Sequence, residues 1–247
     1  MIRAKTGISG LDELIGGGMI EGSTVLLSGQ AGSGKTIFGL QFLYNGITKY
    51  NEPGVFVTLE TRPNELRAEA DQFGWDLHLL EERNELVIID AASSKAGQPT
   101  SERYALRRGF DMTMLASEIY RAVEEVKAKR LVIDCISALG IKFSEPSEVR
   151  SELFRISAML RDERLKVTSL FISEIIEPNS LSRAGVEQFI AQGLITLGLS
   201  EVNGALERDL LIWKMKQTPH SLKKHSFKIG KSGIEIATRK STKTNRS

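Results

Sequence analysis

The sequence predicts an α/β fold, a mostly parallel central sheet flanked by helices, with antiparallel strands added at its C-terminal edge. Two observations predict the parallel part. Short runs rich in Val, Ile and Leu read as strands buried on both faces, and the longer stretches between them carry helical spacing. A third observation predicts the edge: beyond about residue 207 strand-like runs follow one another without helices between them.

In chain order, the apolar runs place strands at 24–28, 55–59, 86–90, 131–134, 167–173 and 194–199. The helices fall at 35–49, at 63–73 where Gly74 stops the run, at 112–127 and at 148–161. In the last of these Val149, Leu153, Ile156 and Leu160 recur at the spacing of one helix face. The final strands are expected at 207–216, 225–229 and 234–237. The stretch 91–109 reads as a long loop, and a connection of that length is often functional. No linker or repeat divides the chain, so residues 1–238 are expected to form one domain and 239–247 a basic, disordered tail.

Composition excludes other classes. With 41% hydrophobic and 26% charged residues the chain is too apolar and too balanced in charge to be disordered. No apolar run nears the roughly 20 residues that span a bilayer, so no membrane association is expected. The basic start has no apolar stretch behind it to make a leader. A single cysteine, Cys135, suits a reducing, cytoplasmic setting and is read as a small buried residue. His78 and Trp75 are read as structural, Trp213 as packing, and His220 and His225 lack the company a metal site needs.

The strongest motif is Gly29, Gln30, Ala31, Gly32, Ser33, Gly34, Lys35 and Thr36, which satisfies G-x-x-x-x-G-K-[ST] between a strand and a helix. Glycines let successive N–H groups point at phosphates, and the helix end adds positive potential. Lys35 supplies a point charge to the phosphates, and Thr36 offers a hydroxyl to Mg²⁺. The apolar strand ending in Asp134 is the matching second metal partner. Together these predict binding of ATP with Mg²⁺. Glu60, at the end of the 55–59 strand, is the candidate that orients the attacking water, because ligands in such sheets sit at that edge. Asp90 ends a strand too, and a local strand-end role suffices for it.

From these residues outward the chain resembles the KaiC-like ATPases of the RecA/RadA superfamily, in particular single-domain archaeal forms also described as RadA paralogs. The resemblance rests on Thr6-Gly7-Ile8-Ser9-Gly10-Leu11-Asp12-Glu13-Leu14, Gly16-Gly17-Gly18 and the phosphate loop. It continues through Phe42-Leu43-Tyr44-Asn45-Gly46, Glu52-Pro53-Gly54-Val55-Phe56-Val57-Thr58, Phe73-Gly74-Trp75-Asp76-Leu77 and Arg183-x-Gly185-Val186-Glu187-x-Phe189, and covers nearly all of 5–238. It implies a RecA-type P-loop NTPase core, a homo-oligomer that is usually a hexameric ring, ATP between subunits, and catalytic fingers from the neighbour. The matching finger positions here are Lys214 and Lys216. KaiC carries Arg at the second, so the paired lysines resemble RecA and imply slow catalysis, since lysine lacks the planar fork of arginine. KaiC also has two acidic residues where this chain has Glu60-Thr61. The segment at 185–193 that aligns with the clock phosphosites contains no Ser or Thr, so clock autophosphorylation does not follow.

Three functions remain open on the sequence. One is an ATPase ring with a regulatory or signalling role. Another is a DNA-associated RadA paralog, acting with single-stranded DNA or a RadA-type recombinase. The third is a nucleotide-binding scaffold with little hydrolysis. The net charge of +2 conceals an asymmetry that bears on the second: residues 204–247 hold eleven Lys and Arg against three Asp and Glu, a net of +8. That block suits phosphate binding, and equally a basic subunit interface followed by a soluble tail.

Overall fold

The structure is a computed structural model that describes all residues except 108, 142, 144, 177–179 and 238–247, and of Gly140 and Ile141 the backbone only. The expected tail at 239–247 lies outside the described residues. In chain order the elements are β1 (Arg3–Ala4), α1 (Leu11–Leu14), β2 (Met19–Ile20), β3 (Thr24–Gly29), α2 (Lys35–Tyr50), β4 (Gly54–Thr58), α3 (Pro63–Asp71), α4 (Leu77–Glu82), β5 (Leu86–Asp90), α5 (Ala92–Lys95), β6 (Tyr104–Ala105), α6 (Met112–Val126), β7 (Arg130–Asp134), α7 (Pro146–Leu160), β8 (Thr168–Glu174), β9 (Gly193–Val202), β10 (Ala205–Met215), β11 (His225–Gly230) and β12 (Gly233–Ile236). Short 3-10 turns occupy Ile136–Ile141 and Glu187–Phe189. Among the described residues no helix is long and apolar enough to cross a membrane.

Ten strands form one sheet in the order β12-β11-β10-β9-β3-β8-β7-β4-β5-β6. From β9 to β6 all neighbours are parallel, and β10, β11 and β12 add as an antiparallel edge. Strand residues alternate between two cores. Val25, Leu27, Phe56, Val132 and Ile172 face the layer built on α2, α3 and α4. Leu26, Val55, Val57, Leu131 and Phe171 face the layer built on α6 and α7. The expected strands and helices therefore stand, with ends moved by one to three residues.

Three expectations are corrected. The 91–109 stretch is not one long loop: α5 starts within it, and β6 pairs with β5 through Ile89–Tyr104 and Asp90–Ala105. Tyr104 and Leu106 supply the burial that makes this worthwhile. His78 is a surface residue, its side chain 71% exposed beside Glu81, because α4 turns Leu77 and Leu80 inward instead. Trp213 is half exposed: a register shift between Ile212 and Lys214 leaves it facing outward, its indole N–H on the Thr196 hydroxyl. Trp75, by contrast, is buried in a stack with Tyr44 and Phe73.

One buried charge fastens α2 to the sheet. Arg130, the first residue of β7, is fully enclosed. Its Nε donates to Glu52 at 2.6 Å, its Nη1 donates to the Phe42 carbonyl at 3.0 Å, and its plane lies 4.6 Å from the Phe42 ring. The guanidinium fits only because Gly46 has no side chain; a Cβ there would stand 2.3 Å from Nε. Gly46→Ala is therefore expected to destabilise the protein by about 1–3 kcal/mol, although alanine is by about 1 kcal/mol the better helix former. Urea unfolding checks this, and a variant as stable as the parent would show that Arg130 is not confined.

Candidate functional site

The parallel strands end at one edge of the sheet, and their registers put the candidate residues side by side. Thr58 pairs with both Asp90 and Asp134, and Gly29 pairs with Glu174. The chain therefore delivers the phosphate-loop motif, Glu60, Asp134 and Glu174 to the same edge, where ligands of such sheets bind.

The loop at 29–36 is a turn closed by Ser33 N–H on the Gln30 carbonyl at 3.2 Å, and it runs directly into α2. Gly34 lies at φ 98°, in the left-handed region, and Ile229 of β11 packs so close over it that a Cβ would meet Ile229 Cδ1 at 2.8 Å. Arg208 of β10 donates to the Gly32 carbonyl at 3.2 Å. Lys35 Nζ donates to the Gln30 carbonyl at 2.9 Å, so its ammonium stays within the loop. Beside the loop a groove of about 730 Å³ runs between the edge strands and the N-terminal segment, lined by Ser9, Glu13, Arg208, Lys228 and Ile229 among others.

Thr36 Oγ1 donates to Asp134 Oδ2 at 2.7 Å. This joins the start of α2 to the end of β7. Burial pushes the Asp134 carboxyl up to about 6; the Thr36 hydroxyl and Lys35 oppose that, while Glu60 and Glu69 add to it. Hydroxyl and carboxylate oxygens are hard ligands, and two of them with phosphate oxygens and water suit Mg²⁺. Among the described residues no group of three or more His, Cys, Asp or Glu stands ready to hold a metal. Cys135 is buried and its thiol is pushed up to about 12 by burial and by Asp134, so it is inert as a nucleophile.

Glu60 follows a tight exit from β4. Leu59 N–H donates to the Asp134 carbonyl at 2.7 Å, and the Thr58 hydroxyl donates to the Thr61 carbonyl. Partial burial raises the Glu60 carboxyl above its usual value, as does Glu174, against Lys95, Arg183 and Lys35. Glu174, Arg183 and Lys95 are thus charged groups of this site that carried no chemical role in the motif reading. Lys95 comes from the 91–109 stretch, where only its length was a signal. Arg183 lay within a family-like string with no chemistry attached to it. Asp90 caps locally, accepting from Ser93 N–H at 2.9 Å.

Lys214 and Lys216 do not join this edge. Lys214 pairs with Leu194, which pairs with Leu26, three residues before Gly29. At about 3.3 Å per residue and about 4.8 Å per strand, Lys214 stands roughly 10 Å back along the sheet and roughly 10 Å across it from the loop. Its Nζ donates to the Gln188 carbonyl at 2.7 Å, and burial followed by Lys216 lowers its pKa. Lys216 is exposed. Of the remaining basic block, Lys224 pairs with Asp209 at 3.4 Å, and residues 239, 240, 243 and 246 lie outside the described set.

A mostly parallel sheet, its glycine-rich loop ahead of α2 and a strand-end carboxylate beneath it define the class, a nucleotide-binding ATPase of the RecA superfamily. Comparison with known proteins agrees. The model of the KaiC ATPase family matches residues 4–241. A UPF0273 protein of Methanocaldococcus jannaschii is 40% identical over 238 residues, 96% of each chain, and one of Thermotoga maritima is 39% identical over 95% of each. The circadian clock oscillator protein KaiC of Parathermosynechococcus lividus is 37% identical over 95% of this chain but only 42% of its own length. The crystal structure of a KaiC-like protein from Pyrococcus horikoshii superposes with a TM-score of 0.83 at 41% identity, covering 96% of this chain and 99% of that one. The chain belongs to the KaiC ATPase family.

The raised Asp134 carboxyl has a signed consequence for stability. Its folded value of about 6 exceeds the ordinary 3.8, so the folded state binds the proton more tightly. Stability is lost as pH rises between those values, by about 3 kcal/mol in all. Asp134→Asn is expected to melt above the parent at pH 8 without nucleotide, and the advantage should vanish near pH 4. Thermal melts at both pH values check it, and a gap independent of pH would contradict it.

Proposed function

We propose that the chain is a Mg²⁺-dependent ATPase that assembles into a ring, with each nucleotide site completed by the neighbouring subunit, and that its role is regulatory. The observation that carries this reading is the separation of Lys214 and Lys216 from their own phosphate loop. Both are too far back along the sheet to reach phosphates bound in the same chain, while the family resemblance gives these positions to a neighbour's nucleotide. Lys216 is exposed and suited to that task. Lys214 is held by Gln188 of its own chain and sets the position of the strand end.

Within the site, the backbone of residues 29–36 and Lys35 would hold the β- and γ-phosphates, and the nucleoside would extend into the groove by Arg208 and Ile229. Thr36 and Asp134 would hold Mg²⁺, which supplies charge neutralisation at the phosphate oxygens. Glu60 would orient water in line with the γ-phosphorus and take its proton; its raised pKa favours proton transfer near neutral pH. A single carboxylate and lysine fingers support slow turnover. The DNA-associated reading gains no support from the described residues, because part of the basic block is already paired and Lys214 is tied internally.

Glu60→Gln is expected to bind ATP with unchanged affinity and to lower kcat by at least about 100-fold, with loss of the acidic limb of the pH–rate profile. Unchanged turnover removes Glu60 from the reaction. In mixtures with Lys35→Ala subunits, which cannot bind ATP, Lys216→Ala subunits are expected to retain hydrolysis at their own sites wherever their neighbour supplies Lys216. If Lys216→Ala subunits stay inactive in every mixture, the finger acts within its own chain.

A further inference from the structure

The turn between β8 and β9 contains a buried carboxylate, Glu187, whose hydrogen-bond partners among the described residues include no cation. Glu187 is 3% exposed. It accepts from the Ser182 hydroxyl at 2.6 Å, from the Ser173 hydroxyl at 3.3 Å, and from Ala184 N–H and Val186 N–H at 3.1 Å each. Burying a charge in a surface connection is costly unless it is fully hydrogen-bonded, and here the donors fix residues 182–186 into one rigid turn against β8. The residue so placed is Arg183. Its own N–H donates to the Ser173 hydroxyl at 3.3 Å.

The backbone of Arg183 is thus fixed while its side chain is not. The guanidinium is 41% exposed and lies 3.6 Å from Glu174 Oε2, longer than a hydrogen bond. Other arginines of this protein are held differently: Arg67 makes bonds of 2.8–2.9 Å to both Glu81 and Glu102, and Arg130 is enclosed. Glu174, the weak partner, is the register partner of Gly29 where the phosphate loop begins, and the next residue's N–H donates to the Gly29 carbonyl at 3.0 Å. Arg183 therefore waits beside the phosphate site on a rigid base with a redirectable head.

We propose that Arg183 is a further catalytic residue, leaving Glu174 to engage the γ-phosphate when ATP is bound and so supplying in the same chain the arginine that the Lys216 finger lacks. The inference rests on the ATPase reading above. In hydrolysis, water oxygen forms the new bond to the γ-phosphorus, the bond to the β–γ bridging oxygen breaks, ADP leaves with that electron pair, and the water proton passes to Glu60. Arg183 takes no part in the proton transfer. Its planar fork offsets charge on the γ-phosphoryl oxygens as the bond breaks.

The test is steady-state hydrolysis by the full chain with Mg²⁺, together with equilibrium affinities for ATPγS and ADP. Arg183→Ala is expected to lower kcat by roughly 100-fold and to weaken ATPγS binding at least tenfold while leaving ADP binding unchanged. Arg183→Lys should fall between the parent and the alanine variant, since it keeps charge and loses the fork; if the alanine variant does not fold, the lysine variant is judged by the same readouts. A kcat within twofold of the parent overturns the inference. So does equal weakening of ATPγS and ADP, which assigns Arg183 to holding the loop. If the unmodified chain itself neither binds nor hydrolyses ATP, the ATPase reading fails first, and that outcome is read from the parent alone.

Discussion

Strand β7 begins with Arg130 and ends with Asp134, and helix α2 is fastened to both ends. At one end the Arg130 guanidinium holds the Phe42 carbonyl and occupies the space left by Gly46. At the other the Thr36 hydroxyl holds the Asp134 carboxylate. The spacings match: four residues of strand rise about 13 Å, and the ten residues from Thr36 to Gly46 rise about 15 Å as helix. A rigid strand thus sets both the tilt and the height of α2. The phosphate loop can only emerge where α2 begins, so the site inherits its geometry from a buried arginine at the far end of the strand.

Electrostatics at that site are arranged for a charge not supplied by the chain itself. Asp134, Glu60 and Glu174 converge at the sheet edge, where Glu174 raises the Glu60 carboxyl and Glu60 raises that of Asp134, while Lys35 of α2, Lys95 of α5 and Arg183 of the β8–β9 turn counter them. Lys95 pays for its proximity with a pKa lowered by burial, which Glu60 partly restores. Lys214 on β10 and Lys216 just beyond it are excluded from this balance by the sheet register, which is the physical reason for the proposed second subunit.

Much of this was legible in the sequence because the strands are buried on both faces and therefore read as unbroken apolar runs, as at 86–90. The loop at 29–36 was legible because its glycines answer a local backbone requirement. What was not legible depended on distant partners. Arg130 precedes the apolar run at 131–134 with no sign in the sequence that it is among the most enclosed side chains; Gly46 and Glu52 explain why it is. The two-residue β1, β2 and β6 are too short to carry a pattern. The register shift beside Lys214 turned Trp213 outward against its apolar character. Arg183 and Glu187 were visible as a string of residues but not as a turn, because their meaning lies in bonds to Ser173 of another element.

The Thr6–Asp12 segment belongs with the same lesson. Asp12 accepts from the Thr6 N–H and hydroxyl at 2.9 and 2.8 Å, and Asn45 of α2 donates to the Gly7 carbonyl at 2.6 Å. The segment is thus a turn fastened to α2, and Ser9 within it lines the groove beside the phosphate loop. In the proposed ring a site is complete only with a neighbour. The direct measurement is ATP turnover per chain across a wide range of protein concentration, with the oligomeric state followed by sedimentation in the same buffer. Turnover per chain should rise with assembly and fall to background when the chain is diluted to monomer. A dilute monomer that hydrolyses ATP at the full rate would contradict it.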